Sequence, residues 1–499
     1  MSRTILAIDQ GTTNSKALLI DEKGAVVATA AVPVPVSYPQ PGWVEQSPEE
    51  LWGTLVRAVA ACRKQAGEGT EIAAIGISNQ RESVLLWDRA TGRPIGPCVT
   101  WQCRRSAERI DRLRSPAVEE AVAAKTGLEL NPMFPAAKIG WLLDEYPAAR
   151  ELSAAGQLCA GTVDSWLLFN LTGGAVHATD FGNASRTQLF DIAHGSWDAE
   201  LCALFGVPPA ILPRAMSSDA RFGETSGTGG LPSGIPIHAI MGDSHAALFG
   251  HAIRLPGEVK ATYGTGSSLM TVTGTPVRSR SGLSTTIAWR RGDRTTYALE
   301  GNISVSAQAA EWMAAFLGLA DVAALTALAE TVATDGGVVV VPAFAGLGAP
   351  HWNDRARAAI SGLSLATSRA EVARATLEAI ALQIRDVFAA METDLGHRLD
   401  RLSADGGATR NDTLMQMQSD IVGRPVRRHE IAELSAAGAG VMAGVACGFW
   451  TEEQGVAILS PHGRSFEPSF SQAARDDIVK RWQHAVRAVS DSARRPFAS

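Results

Sequence analysis

The stretch that decides the fold is DQGTTNS at residues 9–15, which lies between two apolar segments. These segments cover residues 5–8 and 16–20, and a third extended segment covers residues 25–36. Short polar turns between such segments predict a three-stranded meander with functional residues in its first turn. Gly11 permits a tight turn, where successive backbone N–H groups can form a nest that binds an anion.

The side chains of this turn suit a phosphate and its metal ion. Thr12, Thr13 and Ser15 supply hydroxyl donors. Lys16 supplies a cation, and Asp9 supplies a carboxylate suited to Mg²⁺ or its waters. The stretch is not a Walker A loop, which requires GxxxxGK[ST] and a following helix. An ordinary hairpin turn is the alternative interpretation.

The first half of the chain alternates strands with helices. Ser47 suits the N-cap of a helix that extends to about residue 67, with Pro48 in its first turn and Glu50 closing a capping box. An apolar strand at residues 72–77 follows. This alternation is typical of a layered α/β protein.

A second strand–turn–strand unit begins halfway along the chain. Residues 258–263 lead into GTGSS at 264–268, and an apolar strand at 269–272 follows. The similarity to the opening predicts two similar halves, which we assign as domains 1–252 and 253–499.

A third polar turn, DGGATRN at residues 405–411, precedes a helix predicted over residues 412–421. Two glycines before a helix N-terminus let a ligand lie against the backbone, although such a pair is also common in ordinary loops. Three such turns in one chain favour phosphate or nucleotide binding.

Asp243 follows an apolar strand at residues 235–241, where a carboxylate is well placed to act as a general base. A helix N-cap is the alternative, and His245 is interpreted as local structure. Arg81 and Glu82 are either a solvated surface pair or a polar clamp for a hydroxylated substrate. Trp101 is either a pocket wall or a core residue.

Composition excludes several classes of function. The 499 residues carry 45 Lys and Arg against 51 Asp and Glu, a net charge of −6, so nucleic acid is not an expected partner. Apolar runs are far shorter than the roughly 18–20 residues that span a bilayer, so we expect no membrane insertion and a cytoplasmic protein. The 6 cysteines are scattered without CxxC spacing, which favours free thiols.

The motifs together resemble the FGGY carbohydrate kinases and, among them, the members that phosphorylate glycerol. The resemblance covers nearly the whole chain and is carried by DQGTT at 9–13, PGWVE at 41–45, NQRE at 79–82, WQCRR at 101–105, GTVDSWL at 161–167, NASRT at 183–187, TYGTG at 262–266, GLGAP at 346–350, and the stretches 133–145 and 358–378.

The resemblance implies two ribonuclease-H-like domains, of the actin and sugar-kinase superfamily, around an interdomain cleft. ATP with Mg²⁺ would lie mainly against the second domain, and a small polyol would be held by the first. The residues it assigns are Thr12, Thr13, Asn14, Lys16 and Thr265 to phosphates, Asp9 to the metal ion, Gly407 and Asn411 to adenosine, and Arg81, Glu82, Trp101, Met133, Asp243 and Ser244 to the substrate. Asp243 would be the general base for in-line transfer of the γ-phosphate to a primary hydroxyl.

Three pocket positions depart from the family pattern. Met133 stands where Tyr is expected, Ser244 where Gln is expected, and Ser268 where Phe is expected. Loss of two aromatic walls would widen the pocket, so the substrate is either a larger polyol or ketose (erythritol, threitol or erythrulose) or glycerol in a pocket closed by other side chains. On the ATP side, Ala307 replaces Gly and Glu311 replaces Gln.

Three further expectations concern regulation, the alternative class of function and the assembly. The loop GTGGLPSG at 227–234 lacks the Arg with which bacterial relatives bind a sugar bisphosphate, so we expect no inhibition by fructose 1,6-bisphosphate. An actin-like ATPase without a sugar substrate, or a catalytically silent sensor, is the alternative class. A homo-oligomer, either dimer or tetramer, is the expected assembly.

Overall fold

The structure, a computed structural model, describes residues 3–67, 69–431, 433–460 and 463–492. Its strands are β1 Arg3–Gln10, β2 Asn14–Asp21, β3 Val26–Pro33, β4 Glu45–Gln46, β5 Glu71–Asn79, β6 Val84–Asp88, β7 Cys98–Val99, β8 Leu158–Thr162, β9 Ala178–Asp180, β10 Phe190–Asp191, β11 Ser196–Trp197, β12 Arg214–Met216, β13 Gly223–Ser226, β14 Ser233–Gly242, β15 Glu258–Tyr263, β16 Ser267–Thr273, β17 Ser284–Arg291, β18 Arg294–Ile303, β19 Val339–Val341, β20 Ala359–Ser361, β21 Arg401–Asp405, β22 Val426–Arg428 and β23 Ser465–Phe466.

The α-helices are α1 Pro48–Ala66, α2 Ala107–Leu113, α3 Pro116–Thr126, α4 Pro135–Glu145, α5 Pro147–Ala154, α6 Val163–Leu171, α7 Phe181–Ser185, α8 Ala199–Phe205, α9 Asp243–Gly250, α10 Gln308–Phe316, α11 Val322–Ala329, α12 Arg369–Leu395, α13 Asp412–Val422, α14 Leu434–Ala446, α15 Glu452–Leu459 and α16 Gln472–Ser492. Two short 3₁₀ turns cover Pro209–Ile211 and Gly407–Arg410. Among the described residues, no helix is both long and apolar enough to cross a membrane.

Two mixed sheets of the same topology form the centre of the molecule. The first has the order β13-β14-β5-β1-β2-β3, and the second contains β23-β22-β21-β15-β16-β18 with β17 added at its edge. In both, the opening hairpin is antiparallel and the hairpin's first strand pairs in parallel with a later strand. The predicted meander and the predicted repeat in the second half are therefore confirmed.

This topology brings the polar turns to one edge of each sheet. Asp9 lies at the end of β1, directly opposite Ser78 at the end of the parallel strand β5. In the second sheet Thr262 in β15 lies opposite Asp405 at the end of β21. Since carboxyl ends of neighbouring parallel strands share an edge, the turns that follow them face a common crevice.

Helix α14 comes from the second half of the chain but packs on the first sheet. It contacts β1, β5 and β14, and lies alongside α9. The approach is close because Gly76 has no side chain: a Cβ there would lie 2.2 Å from the carbonyl oxygen of Ala439. Gly438 faces the backbone of Ala246 in the same way. The two halves of the sequence therefore share one core at this contact.

Helix α1 begins as predicted, but its cap differs in one respect. The Ser47 side chain accepts a hydrogen bond from the Glu50 backbone N–H at 3.2 Å. The Glu50 carboxylate does not return to Ser47 and instead accepts a bond from Arg57. The predicted capping box is therefore only half formed.

Candidate active site

Three adjoining cavities lie beside the polar turns that follow the strands of the two sheets. A cavity of about 300 Å³ shares Thr262 and Ser435 with a second of about 750 Å³. A third, of about 780 Å³, shares Gly264 with the first and Gly407 with the second. The shared walls make one continuous crevice, which we call the cleft.

The smallest cavity collects every residue assigned to the substrate. Its walls include Arg81, Glu82, Trp101, Met133, Asp243 and Ser244, together with Thr12 from the first turn and Ser268 from the second half. The strand pairing explains this convergence. Gly242 at the end of β14 lies opposite Asn79 at the end of β5, so the residues that follow both strands become neighbours.

Asp243 is the first residue of α9, and its carboxylate is held at one oxygen. Oδ1 accepts hydrogen bonds from Arg81 Nε at 3.0 Å and from the Ser244 backbone N–H at 2.6 Å. The side chain is 38 % exposed, whereas that of Arg81 is only 7 % exposed. A carboxylate fixed at one oxygen and open to the cavity has the position of a general base.

Glu82 is held both through its backbone and through its side chain. Its backbone has the left-handed conformation, with φ of 59°. Its carbonyl oxygen accepts a hydrogen bond from Lys138 Nζ at 3.2 Å, and the same ammonium group binds the Met133 carbonyl at 2.5 Å. Burial lowers the pKa of Lys138 to about 7. The Glu82 carboxylate accepts a bond from Arg186 Nε at 2.6 Å.

Glu300 is a buried charged residue beside the smallest cavity, and the sequence patterns did not point to it. It lies on β18 and its side chain is fully buried. Arg81 Nη2 lies 2.6 Å from its Oε1, and Arg186 Nη2 lies 2.8 Å from its Oε2. Burial alone would raise the pKa of Glu300, but Arg186 and Arg81 hold it well below its usual range. The signal in the sequence was the one carboxylate of β18, which directly follows the apolar pair Ala298 and Leu299.

Trp101 is a wall of the pocket and not a core residue. The residue is 37 % exposed, and its Nε1 donates a hydrogen bond to Thr12 Oγ1 at 2.9 Å. Thr12 in turn donates to Gln80 at 3.3 Å. These bonds connect the phosphate turn directly to the substrate wall.

The Asp9 carboxylate faces the 750 Å³ cavity together with Lys16 and Asp405. Oδ1 accepts a hydrogen bond from Ser78 Oγ at 2.8 Å. Burial raises the pKa of Asp9 to about 6, although Lys16 opposes the increase. Lys16 Nζ lies 2.5 Å from Glu433. A buried carboxylate on a polar cavity suits Mg²⁺, which is usually held by one or two carboxylates, substrate phosphates and waters.

The structure does not bring all of the predicted phosphate residues to the cleft. Thr13 and Asn14 belong to none of the three cavity walls. The Asn14 side chain instead donates to Thr13 Oγ1 at 3.3 Å, and its backbone carbonyl accepts a bond from Gly11. The Gly11 N–H is therefore used within the turn, which leaves Thr12 and Lys16 as the side chains that the turn presents.

The third cavity contains the residues assigned to adenosine. Thr265, Gly407 and Asn411 line it, as do Ala307 and Glu311. An apolar wall of Val322, Ala323 and Ala327 from α11 completes it. The Asn411 side chain caps α13 by accepting from the Leu414 N–H at 3.0 Å and donates to Thr326 at 2.7 Å. Asn411 therefore forms a rigid part of the cavity wall.

His245, the alternative base, is not available for proton transfer with a substrate. It is fully buried, and its Nε2 pairs with Thr286 at 3.3 Å. Burial lowers the pKa of His245 well below its ordinary value. The interpretation of this residue as local structure is confirmed.

Two sheets of one topology, with polar turns and a cavity lined by Arg81, Glu82 and Asp243, have the architecture expected of a two-lobed kinase. The sequence profile of the FGGY family of carbohydrate kinases, N-terminal domain, matches residues 4–250, and that of the C-terminal domain matches residues 259–447. The chain belongs to the FGGY family of carbohydrate kinases.

Individual relatives are similar to this chain over almost its full length. Glycerol kinases from Symbiobacterium thermophilum and Burkholderia cenocepacia are each 47 % identical, over 485 and 488 residues, covering 97 % of this chain and 97 % of each relative. The crystal structure of Plasmodium falciparum glycerol kinase with ADP is 33 % identical with a TM-score of 0.92, covering 98 % of both chains. A xylulose kinase structure from Rhodospirillum rubrum is 27 % identical with a TM-score of 0.87, covering 99 % of this chain and 100 % of the other.

Proposed function

We propose that this protein transfers the γ-phosphoryl group of ATP to a primary hydroxyl of glycerol. The observation that carries the proposal is the convergence of Arg81, Glu82, Trp101 and Asp243 on one cavity beside the turn that holds Asp9. The relatives at 47 % identity, both named glycerol kinases, support glycerol as the acceptor. The proposed lobes are residues 1–252 and 253–499, and a dimer or tetramer is the proposed assembly.

ATP supplies the phosphoryl group, and Mg²⁺ neutralises charge on the phosphate oxygens. Asp9 would hold the ion or its waters, and Lys16 and Thr265 would face the phosphates. The apolar wall of α11 suits the adenine ring. Phosphoryl transfer needs little covalent help from the protein, so these residues act by alignment and charge neutralisation.

The substrate residues have distinct tasks in this mechanism. Asp243 accepts the proton of the attacking hydroxyl as the O–P bond forms. Arg81 donates to one neighbouring hydroxyl, and the Glu82 carboxylate accepts from another. Charge-assisted hydrogen bonds of this kind discriminate strongly, because a substrate that lacks the hydroxyl leaves a buried charge unpaired.

The test is a coupled assay of ADP release with and without glycerol, followed by identification of the product by phosphorus NMR. The proposal requires ADP release that depends on glycerol and a phosphomonoester product in equal amount. ATP hydrolysis at the same rate without any polyol would instead favour the actin-like ATPase.

A second candidate is a kinase for a longer polyol or ketose, and the pocket lining favours it. Ser244 and Ser268 place hydroxyl groups on the cavity walls, and Met133 is a flexible side chain. Ser268 Oγ donates to Glu300 at 3.3 Å, so its side of the pocket is polar. Comparison of kcat/KM for glycerol, erythritol, threitol and erythrulose separates the candidates, because a clear preference for glycerol excludes the longer substrates.

A further inference from the structure

Glu300 connects the two halves of the chain beneath the polyol cavity. It lies on β18 of the second sheet, whereas Arg81 follows β5 of the first sheet and Arg186 follows α7. All three side chains are at least nine-tenths buried. Glu300 is absent from the cavity wall, so any effect on the reaction must pass through its partners.

Each arginine bound by Glu300 also holds one carboxylate of the site. Arg81 donates from Nε to Asp243 at 3.0 Å, and Arg186 donates from Nε to Glu82 at 2.6 Å. Both use Nη2 toward Glu300, at 2.6 Å and 2.8 Å. One buried carboxylate therefore links Asp243 to Glu82 through two guanidinium groups.

Guanidinium groups are planar and rigid, so their orientation is fixed when two anions bind different nitrogens of the same group. Glu300 is the second anion that contacts Arg81 and Arg186. Each guanidinium group therefore interacts with two carboxylates instead of one. Without it, both guanidinium groups would be attracted only to Asp243 and Glu82. Nη1 of each arginine is buried and has no hydrogen-bond partner among the described residues, and the 2.8 Å contact of Arg186 Nη2 with Glu300 Oε2 is an ion pair without hydrogen-bond geometry.

We propose that Glu300 is a positioning residue for phosphoryl transfer: it orients Arg81 and Arg186 so that Asp243 remains a competent base and Glu82 remains aligned with the substrate. The proposal rests on the proposed function. It also means that the polyol site is complete only with a residue from the second half of the chain.

Charged and titratable groups around this network determine its pH dependence. Arg81, Lys260 and Asp9 act on Asp243 electrostatically, while Arg186, Arg81 and His245 act on Glu300. Removal of the Glu300 charge leaves Asp243 facing more net positive charge. The acid limb of the pH profile of kcat therefore depends on the Glu300 charge, and it should move to lower pH when that charge is removed.

The test compares wild type with Glu300→Gln, which keeps the side-chain shape and one acceptor oxygen but removes the charge. We expect kcat/KM for glycerol to fall about 100-fold, the effect of a misplacement of about 1 Å in a site. We expect the acid limb of kcat to move down in pH and KM for ATP to change less than threefold. A merely structural role would lower the melting temperature without moving the acid limb.

The matched control is Glu392→Gln, because Glu392 is also a glutamate of the second half paired with an arginine, Arg424 at 2.8 Å. It should leave the pH profile of kcat unchanged. Retention of wild-type kcat/KM and pH profile in Glu300→Gln would overturn the proposal. Absence of glycerol-dependent activity in wild type would instead overturn the proposed function.

If Glu300→Gln does not fold, Glu300→Asp provides the second test. This variant keeps the charge but withdraws it by one methylene group from Arg81 and Arg186. KM for glycerol should rise at least tenfold while the acid limb stays in place. An unchanged KM for glycerol would contradict the positioning role.

Discussion

The proposed polyol end of the cleft, which is the 300 Å³ cavity, and its proposed nucleotide end, which is the 780 Å³ cavity, are built by different means. At the polyol end, Arg81 and Glu300 form a buried ion pair between the two sheets, and Arg81 also binds Asp243, which is partly exposed to the cavity. At the nucleotide end, the wall comes from the second half alone, and Asn411 is fixed by neutral hydrogen bonds to α13 and α11. The charged side chains of the proposed polyol end are largely buried, whereas those that line the proposed nucleotide end, such as Glu330 and Arg410, are exposed.

The difference has an energetic consequence. Removing one member of a buried ion pair leaves its partner uncompensated, which costs about 3–5 kcal/mol. Removing a neutral helix cap costs about 1 kcal/mol. Substitutions at the polyol end should therefore have much larger effects than those at the nucleotide end, and they should act on different kinetic constants.

The largest effect is expected for Arg81→Met. This change leaves Asp243 and Glu300 without their shared guanidinium partner, so kcat/KM for glycerol should fall by roughly 1000-fold. Steady-state kinetics with glycerol and with ATP varied separately provide the measurement. Arg278→Met is the control, since Arg278 forms an exposed ion pair with Glu120 that contributes little. Equal losses of kcat/KM for glycerol in Arg81→Met and Arg278→Met would contradict the large effect expected for the buried ion pair.

A smaller effect is expected from protonation of Asp9. Its pKa is raised to about 6, so the carboxylate is ionised at pH 7 and mostly protonated at pH 5. A protonated carboxyl is a poor ligand, and Mg²⁺ should bind in the presence of ATP about tenfold more weakly at pH 5. Titration of Mg²⁺ into the protein with ATP at pH 5 and at pH 7 measures this difference in affinity. The Asp9→Asn variant should keep only the pH dependence that Mg²⁺ binding to free ATP has under the same conditions; a larger dependence, equal to that of wild type, would show that another group is responsible.

The smallest effect is expected for Asn411→Ala. Loss of the cap of α13 should lower the free energy of unfolding by about 1 kcal/mol and raise KM for ATP a few-fold, with KM for glycerol unchanged. Chemical denaturation and steady-state kinetics provide the two measurements. Ser115→Ala removes a comparable cap from α3 at 3.3 Å and should change stability without changing KM for ATP. A raised KM for glycerol in Asn411→Ala would contradict the expectation that the two ends of the cleft affect different kinetic constants.

Local sequence patterns were enough to predict the meander, the repeated turn and helix α13. Each depends on residues close together in the chain: alternating apolar segments for β1 to β3, and Asn411 with Gly423 at the two ends of α13. The substrate residues were assigned by resemblance, and their convergence follows from the parallel pairing of β5 with β14.

Long-range contacts could not be predicted in the same way. The packing of α14 on the first sheet depends on glycines that let two backbones approach, and a helical pattern does not specify its partner. The role of Glu300 depends on arginines from the other half of the chain. The Gly11 hydrogen bond that closes the first turn depends on backbone geometry, which residue types alone do not fix.

The central claim is that Asp243 deprotonates a polyol hydroxyl that then attacks the γ-phosphate. Its most direct test is the rate of glycerol-dependent ADP release by Asp243→Asn, with ATP binding measured on the same protein and the exposed Asp293→Asn as control. The account predicts a loss of about 1000-fold or more in kcat, unchanged ATP binding, and wild-type activity in the control. A kcat within tenfold of wild type in Asp243→Asn would contradict it.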